Sequence, residues 1–376
     1  MKKCVIMPDS FKGTLSSIEI CDSIKEKVLE FFPDCNIKAI PVADGGEGTV
    51  DCFLYAMNAE KVETQVKNAY LEPVTVYYAK MKNQAILEMA QPAGLPQVEG
   101  RLNPKVTNTY GVGEMILHAV KNGCNDIVIG LGGSCTNDGG TGAAAALGTV
   151  FKNAKGESFI PSGGSLKNIV SIDTSETRKI LKNVKITAMC DINNPMYGLN
   201  GAAYIFAPQK GADEEMVKEL DDQLIALSEL IKKELGVDVS AMEGAGAAGA
   251  LGAGIVAFLG GELKSGIETV LDMIDFDTLI KDAGMVFTGE GRIDSQSLGG
   301  KVVIGIAKRA KEQEVPVTAV VGSIGDGADG AYDLGVSAIF SINQKAEDFS
   351  VSRFHSRENL AATIDSLMRF YQSVTR

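Results

Sequence analysis

The sequence has no tryptophan, only two histidines and no cluster of basic residues along its 376 positions. Its 36 Lys and Arg residues are outnumbered by 48 Asp and Glu residues, which gives a formal net charge of −12. Nucleic-acid binding needs a cationic surface that displaces counterions, and an acidic surface is repelled by anionic membranes. We therefore expect neither a nucleic-acid nor a membrane partner. A small anionic ligand is compatible with this charge, because local cations and helix N-termini can bind it.

Signatures of disulfides, zinc sites and secretion are also missing. The seven cysteines form no CxxC pair and are odd in number, which predicts free thiols in a reducing compartment. His118 and His355 lie far from any second ligand in sequence, so we expect no zinc site and assign neither a role. The apolar run after Met1–Lys3 is too short for a signal peptide, and the Gly/Ala-rich segment Ala245–Gly261 predicts a buried, closely packed helix. We therefore expect a cytoplasmic protein.

The common nucleotide-binding motifs are absent or weak. The sequence contains no GxxxxGK[ST] P-loop and neither the HRD nor the DFG motif of protein kinases. Gly244–Gly249 matches GxGxxG after the strand-like segment Val237–Val239, but no strand with a terminal acidic residue follows at the spacing of NAD-binding domains. We interpret this motif as part of a small-residue helix. An NAD-linked hydroxy-acid dehydrogenase is kept as an alternative function.

The order of the predicted elements indicates an α/β protein. Apolar segments such as Cys4–Met7 and Ile37–Val42 each run into a turn and then a helix, and the same style returns near the C-terminus. Between them lie segments that alternate like antiparallel strands. We predict a Rossmann- or flavodoxin-like parallel-sheet domain formed by residues 1–65 and 286–376. It is interrupted by an inserted α/β domain, residues 66–285, and the active site is expected in the cleft between the two domains.

Two helices are predicted by signals of their own. Ser16–Glu19 has the pattern of a capping box, in which a serine and a glutamate satisfy the first backbone N–H groups of a helix. Residues 214–235 place Leu220, Leu224, Leu227 and Ile231 on one face, which predicts a long amphipathic helix.

Four loops combine glycine with a carboxylate after an apolar segment and before a helix: Asp9–Gly13, Asp44–Thr49, Gly130–Gly140 and Thr288–Asp294. Glycine lets backbone N–H groups approach a phosphate, and the following helix N-terminus favours negative charge. Carboxylates bind Mg²⁺ together with phosphate oxygens and water. A single turn of this kind is more often only a turn. Four of them at the carboxyl ends of strands predict phosphoryl transfer from MgATP.

These loops supply the candidate site residues. The candidates for phosphate or substrate binding are Ser10, Gly45, Gly46, Gly132, Gly133, Ser134, Asn137, Gly289, Gly291 and Lys301. The candidates for metal binding are the carboxylates Asp44, Glu47, Asp138, Glu290 and Asp294.

Three further side chains are candidates for catalysis. Lys12 and Arg292 are the loop cations best placed to hold a substrate carboxylate or developing phosphoryl charge, unless they are merely solvated surface cations. Asp191 follows a predicted strand and precedes the turn at Pro195. It is a candidate base for the attacking hydroxyl, with a Mg²⁺ ligand and a turn cap as alternatives.

These motifs, together with Phe206–Ala212 and Gly244–Gly254, resemble those of the bacterial glycerate kinase family of type I, in the family's order along nearly the whole chain. The resemblance implies that ATP and D-glycerate are the substrates and Mg²⁺ the cofactor, in a two-domain fold. It favours 2-phosphoglycerate as the product and leaves 3-phosphoglycerate open. A monomer or homodimer is expected. A metabolite-binding protein without turnover is a further alternative.

Overall fold

The computed structural model describes residues 1–43, 45–46, 48–57, 59–345 and 347–375. The chain divides into two compact units. Unit 1 consists of Met1–Asp44, Asp51–Asn58 and Ile267–Arg376, and unit 2 consists of Gly45–Val50 and Ala59–Gly266.

The strands are β1 (Lys3–Pro8), β2 (Asn36–Ala39), β3 (Glu60–Lys67), β4 (Pro73–Met81), β5 (Gln84–Glu88), β6 (Asp126–Gly130), β7 (Val150–Lys152), β8 (Ser158–Phe159), β9 (Ser171–Asp173), β10 (Lys185–Met189), β11 (Glu262–Lys264), β12 (Met285–Gly289), β13 (Arg292–Ile293), β14 (Val317–Val321), β15 (Ser323–Ile324) and β16 (Val336–Ser341). The helices are α1 (Ser17–Phe31), α2 (Thr49–Ala56), α3 (Ala90–Ala93), α4 (Tyr110–Lys121), α5 (Thr141–Ala146), α6 (Ser175–Ile180), α7 (Ala202–Phe206), α8 (Glu214–Leu235), α9 (Ala247–Leu259), α10 (Gly266–Met273), α11 (Phe276–Ile280), α12 (Val302–Glu312), α13 (Gly330–Asp333), α14 (Phe349–Ser352) and α15 (Ser356–Val374). Short 3-10 helices cover Leu95–Val98, Leu166–Asn168, Pro208–Lys210, Ser297–Gly299 and Arg353–His355.

Unit 1 contains a five-stranded parallel sheet with the strand order β16-β14-β12-β1-β2. Counted along the chain, this is the flavodoxin-like order 2-1-3-4-5, so the predicted α/β fold class with a flavodoxin-like sheet is confirmed. The direction of winding reverses between β1 and β12. Loops that leave neighbouring strands at such a point diverge and form a crevice at the carboxyl ends of the strands.

The core of unit 1 includes one face of α1. The buried side chains of α1, Ile20, Ile24 and Val28, pack in one cluster with residues of β1, β12 and α15. The capping box is confirmed, because the Glu19 N–H donates to Ser16 Oγ at 3.2 Å and the Ser16 N–H donates to the Glu19 carboxylate at 2.9 Å.

Unit 2 contains a mixed six-stranded sheet with the order β11-β10-β6-β5-β4-β3. β5, β6, β10 and β11 are parallel, whereas β3 and β4 form an antiparallel hairpin. β5 was predicted within the alternating, antiparallel part. It pairs antiparallel with β4 and parallel with β6, so it joins the two parts of the sheet. The domain limits predicted after residues 65 and 285 fall inside β3 and at the first residue of β12, and they stay a prediction.

The small-residue segment forms the buried helix α9, as predicted, and no helix among the described residues is long and apolar enough to span a membrane. Its first turn is left-handed, with φ of 55° at Ala248, 65° at Gly249 and 66° at Ala250. The prediction of a strand at Val237–Val239 was wrong. Asp238 instead accepts a hydrogen bond from the Ser240 N–H at 3.1 Å, a local turn that competes with strand pairing. The GxGxxG motif therefore lacks the strand that precedes it in dinucleotide-binding domains.

We expect Gly249→Ala to be far more destabilising than Gly260→Ala. The two glycines have nearly the same φ, 65° and 66°, so the conformational cost of a Cβ, about 1–2 kcal/mol, is matched. A Cβ on Gly249 would lie 1.9 Å from the Thr136 carbonyl oxygen, whereas a Cβ on Gly260 meets nothing within 4 Å. Urea unfolding should show a loss of about 1 kcal/mol for Gly260→Ala and several kcal/mol for Gly249→Ala. Equal losses would contradict the close approach.

Candidate active site

The loops after β1 and β12 begin side by side at the carboxyl edge of the unit 1 sheet. The Asp9 N–H donates to the Gly289 carbonyl at 2.8 Å, and the Ser10 N–H donates to Asp9 Oδ1 at 2.6 Å. A Cβ on Gly289 would lie 2.1 Å from the Val320 carbonyl oxygen, so this position requires glycine. The crevice expected from the strand order is thus bounded by the predicted site loops.

Further along the chain, the loops after β1 and β12 remain close to each other. A Cβ on Gly291 would lie 3.4 Å from the Lys12 backbone nitrogen, and a Cβ on Gly322 would lie 2.5 Å from the Gly291 carbonyl oxygen. Lys12 and Gly291 also line a small surface pocket together with Asn343 and Phe349. The structure therefore brings together at one edge of unit 1 the predicted residues Ser10, Lys12, Gly289, Glu290, Gly291, Arg292, Asp294 and Lys301.

Glu290 is the buried acidic group of this edge. Its residue is only 8% exposed, and its Oε1 atom has no hydrogen-bond partner. The pKa of Glu290 is raised to about 7, mainly by burial and in smaller part by the carboxylates of Asp9 and Asp294, while Ser297 and Lys301 oppose the shift. An unsatisfied buried carboxylate oxygen costs free energy, so this atom is suited to a ligand that is absent from the isolated chain.

The cations at this edge face solvent. The Arg292 side chain is 65% exposed and its Nε donates to Asp294 Oδ2 at 3.1 Å. Asp294 Oδ1 also accepts the Gln296 N–H at 3.0 Å, which fixes the carboxylate within its own turn. Lys12 is exposed, and Lys301 is exposed at the start of α12. An exposed ion pair of this kind contributes little to stability, so these side chains are available for an anionic ligand.

In unit 2, the glycine turns pack backbone against backbone at the carboxyl ends of β6 and β10. The Gly132 N–H donates to the Gly45 carbonyl at 3.0 Å. A Cβ on Gly130 would lie 2.3 Å from the Gly45 oxygen, and one on Gly132 would lie 2.5 Å from the Gly46 Cα. Backbone contacts this close require glycine at Gly130 and Gly132. Asp44 and Glu47 lie outside the described residues.

Asp138 organises the turn that follows. It is fully buried, and its carboxylate accepts hydrogen bonds from the Thr109 N–H and hydroxyl, both at 2.8 Å, and from the Gly142 N–H at 3.1 Å. Burial raises the pKa of Asp138, and these hydrogen bonds oppose the shift. The carboxylate thus joins the turn to the starts of α4 and α5.

Lys210 is a buried residue of this site that the sequence reasoning did not single out. It is 1% exposed, and its Nζ donates to Ser134 Oγ at 2.8 Å and to the Thr136 carbonyl at 2.7 Å. Burial lowers the pKa of Lys210 to about 8. The only signal in the sequence was its place in Phe206–Ala212, a segment that carried the family resemblance. Next to these contacts, Thr136 Oγ1 and both amide atoms of Asn137 are buried without a partner.

Asp191 follows β10 and lies at the solvent-exposed surface of unit 2. Its Oδ1 atom accepts hydrogen bonds from the Ser265 hydroxyl at 2.9 Å and from the Gly266 N–H at 2.8 Å. The carboxylate is therefore oriented by the start of α10. Hydrogen bonds of this kind are those of a turn cap, which was one of the roles predicted for Asp191. They also hold the carboxylate in a fixed orientation, as a general base requires.

Comparisons with known proteins agree along the whole chain. The sequence profile of the glycerate kinase family matches residues 4–372. A glycerate kinase from Bacillus cereus is 44% identical over 97% of this chain and 97% of its own length. A glycerate 2-kinase from Escherichia coli is 44% identical over 90% of each chain. The crystal structure of a Salmonella typhimurium protein assigned as glycerate kinase 2 is 37% identical, with a TM-score of 0.88 over 100% of this chain and 99% of that one.

The family profile and these relatives match the chain over nearly its full length, and the solved structure shares its overall fold. The chain belongs to the glycerate kinase family and is a kinase.

Proposed function

We propose that the chain transfers the γ-phosphoryl group of MgATP to the 2-hydroxyl of D-glycerate, which yields 2-phosphoglycerate and ADP. The observation that carries the proposal is the buried Glu290 carboxylate, with one unpartnered oxygen, among the exposed cations Lys12, Arg292 and Lys301. The name of the Escherichia coli relative, a glycerate 2-kinase, favours the 2-hydroxyl. We further propose a cytoplasmic monomer or homodimer without nucleic-acid or membrane partners, in keeping with the net charge of −12.

The residues at the unit 1 edge fit a magnesium ion that arrives with its nucleotide. Among the described residues no three His, Cys, Asp or Glu side chains are grouped to hold a metal unaided. Mg²⁺ bound to ATP needs only one or two carboxylates, since phosphate oxygens and water complete its shell. Glu290 and Asp294 would hold it, and Asp9 adds negative charge beside Glu290. The ion would neutralise charge on the phosphates.

We do not propose Asp138 as a metal ligand, because its carboxylate is fully buried and accepts several hydrogen bonds of the turn. It would instead keep the glycine turn in shape. Gly45, Gly46, Gly132 and Gly133 would bring backbone N–H groups to an anionic ligand, with Ser134 and Asn137 as side-chain partners.

In the reaction, the glycerate hydroxyl oxygen forms a bond to the γ-phosphorus while the bond from that phosphorus to the bridging β–γ oxygen breaks. The proton of the hydroxyl passes to the Asp191 carboxylate, whose orientation is fixed by Ser265 and Gly266. Lys12, Arg292 and Lys301 would bind the substrate carboxylate and the charge that develops on the transferred group, and Ser10 would add a hydroxyl contact.

The activity is tested by ADP release. We expect turnover with MgATP and D-glycerate, and little with L-glycerate, because the stereocentre carries the attacking hydroxyl. Purified enolase alone should consume the product, since it acts on the 2-phosphate and not on the 3-phosphate. Consumption only after a mutase is added would show 3-phosphorylation. NADH formation with D-glycerate would support the dehydrogenase alternative, and no turnover with any cosubstrate would contradict the proposal.

Arg292→Ala and Asp191→Asn should each lower kcat at least about 100-fold, the scale of losing one preorganised charged contact. Neither change should alter the urea midpoint much, because both side chains are exposed. Two matched controls are Arg353→Ala and Asp173→Asn. Arg353 is an exposed arginine of unit 1, and Asp173 is an exposed carboxylate that accepts the Ser175 N–H in unit 2. Near-normal turnover in both test variants would remove these residues from the mechanism.

Glu290 should make the chain less stable as the pH rises when Mg²⁺ and nucleotide are absent. Its folded pKa, about 7, lies above the ordinary value of 4.5, so the folded state holds the proton longer and stability falls between pH 4.5 and 7. The full effect is roughly 3 kcal/mol. Urea unfolding should show that Glu290→Gln matches the native chain at pH 4.5 and is more stable at pH 8. Equal stability of the two chains at both pH values would contradict a buried carboxylate with one unpartnered oxygen.

A further inference from the structure

The buried ammonium of Lys210 is not used by the reaction as proposed above. Its two acceptors, Ser134 Oγ and the Thr136 carbonyl oxygen, belong to the glycine turn after β6, and they lie 76 and 74 positions away in sequence. Burying a lysine without need is costly, because the charged form loses its hydration. The titratable groups that face it are Asp138 and Cys135, and neither is its hydrogen-bond partner. Both hydrogen bonds of the buried ammonium group therefore stabilise the conformation of the turn after β6.

The direction of the Lys210–Ser134 hydrogen bond determines what the serine can do. An ammonium group has donors only, so Ser134 Oγ must be the acceptor. The hydroxyl proton of Ser134 is then left to point away from Lys210. In the described part of the chain no protein atom accepts that proton. A buried serine that accepts from a cation and still has its own proton is a polarised donor.

Thr136 and Asn137, further along the same turn, add polar atoms that have no hydrogen-bond partner. Thr136 Oγ1 and the Asn137 amide oxygen and nitrogen are buried without any partner, and both residues are 0% exposed. Each such atom costs free energy in the isolated chain. The turn nevertheless keeps this conformation, because the Gly139 N–H donates to the Gly249 carbonyl at 3.0 Å and Gly249 packs against the Thr136 carbonyl. The strained left-handed start of α9 supports the turn from the same side.

We propose that Lys210 is a positioning residue that orients the Ser134 hydroxyl as a hydrogen-bond donor to an oxyanion of the bound substrate. This inference rests on the proposed kinase function and adds a residue to it. The oxyanion comes either from a phosphate of the nucleotide or from the carboxylate of glycerate, since both present the same acceptor chemistry. Lys210 itself contacts the turn and not the ligand.

A double-mutant cycle tests the proposal through binding, independently of turnover. Calorimetry would give the Kd of MgADP and of D-glycerate for the native chain, Ser134→Ala, Lys210→Met and the double variant. Ser134→Ala should raise the Kd of one ligand about tenfold or more, as expected for a lost hydrogen bond to a charged group. Lys210→Met should raise the same Kd by a similar factor. The double variant should bind as Lys210→Met does, because the lysine acts through the serine.

The ligand that loses affinity identifies the oxyanion. A change for MgADP alone assigns it to the nucleotide phosphates, and a change for D-glycerate alone assigns it to the carboxylate. Lys167→Met, which removes an exposed lysine paired with Asp222, should leave both values unchanged. Multiplying effects in the double variant would mean that Lys210 acts on binding independently of Ser134, and this would overturn the proposal.

Two further outcomes are decisive. If Lys210→Met does not fold, Ser134→Ala decides alone, and unchanged Kd values for both ligands overturn the inference. If the native chain binds neither MgADP nor D-glycerate, the proposed function fails and this inference fails with it. Normal binding by the native chain and by Ser134→Ala overturns the role of Lys210 only, and leaves the proposed kinase function intact.

Discussion

The structure depends on the close approach of backbones at the carboxyl ends of parallel strands. In unit 2, Gly130 and Gly132 lie so close to the Gly45–Gly46 segment that a Cβ would fall within 2.6 Å of backbone atoms. In unit 1, Gly289 lies against β14 in the same way. Only glycine permits these approaches, and each leaves backbone N–H groups and short polar side chains at the sheet edge.

Three buried ionisable groups at these sheet edges have different roles. Asp138 and Lys210 are satisfied by the glycine turn and act on its shape. Glu290 differs, because one of its oxygens has no partner and burial raises its pKa. Satisfied buried charges specify a conformation, whereas an unsatisfied one destabilises the chain until a ligand arrives. This contrast is why we propose Glu290, and not Asp138, for the metal of MgATP.

Much of the fold was predictable because its signals are local. α8 has the predicted bounds, and the capping box of Ser16 and Glu19 forms as expected. β2 ends at Ala39, earlier than predicted, although the Ile40 and Val42 N–H groups still donate to the Ile6 and Pro8 carbonyls of β1 at 2.8 and 3.0 Å. The candidate loops were also local patterns, and the flavodoxin-like strand order brings two of them together at the β1–β12 edge.

The features that could not be predicted depend on residues that are distant in sequence. The burial of Lys210 arises from partners 74 and 76 positions away, which no periodicity reveals. The left-handed start of α9 places two alanines at positive φ, contrary to their own preference, because the turn after β6 packs against it. Asp138 was a plausible metal ligand by residue type alone. The hydrogen bonds of Thr109 and Gly142 gave the reason to assign it another role.

The most direct test is a crystal structure of the chain with MgADP and D-glycerate. We expect the nucleotide phosphates on the unit 1 loops that hold Lys12 and Arg292, with Glu290 Oε1 within about 2.1 Å of the magnesium ion, the normal distance for this metal. A nucleotide bound instead along Gly244–Gly249, with Glu290 still unpartnered, would contradict the account.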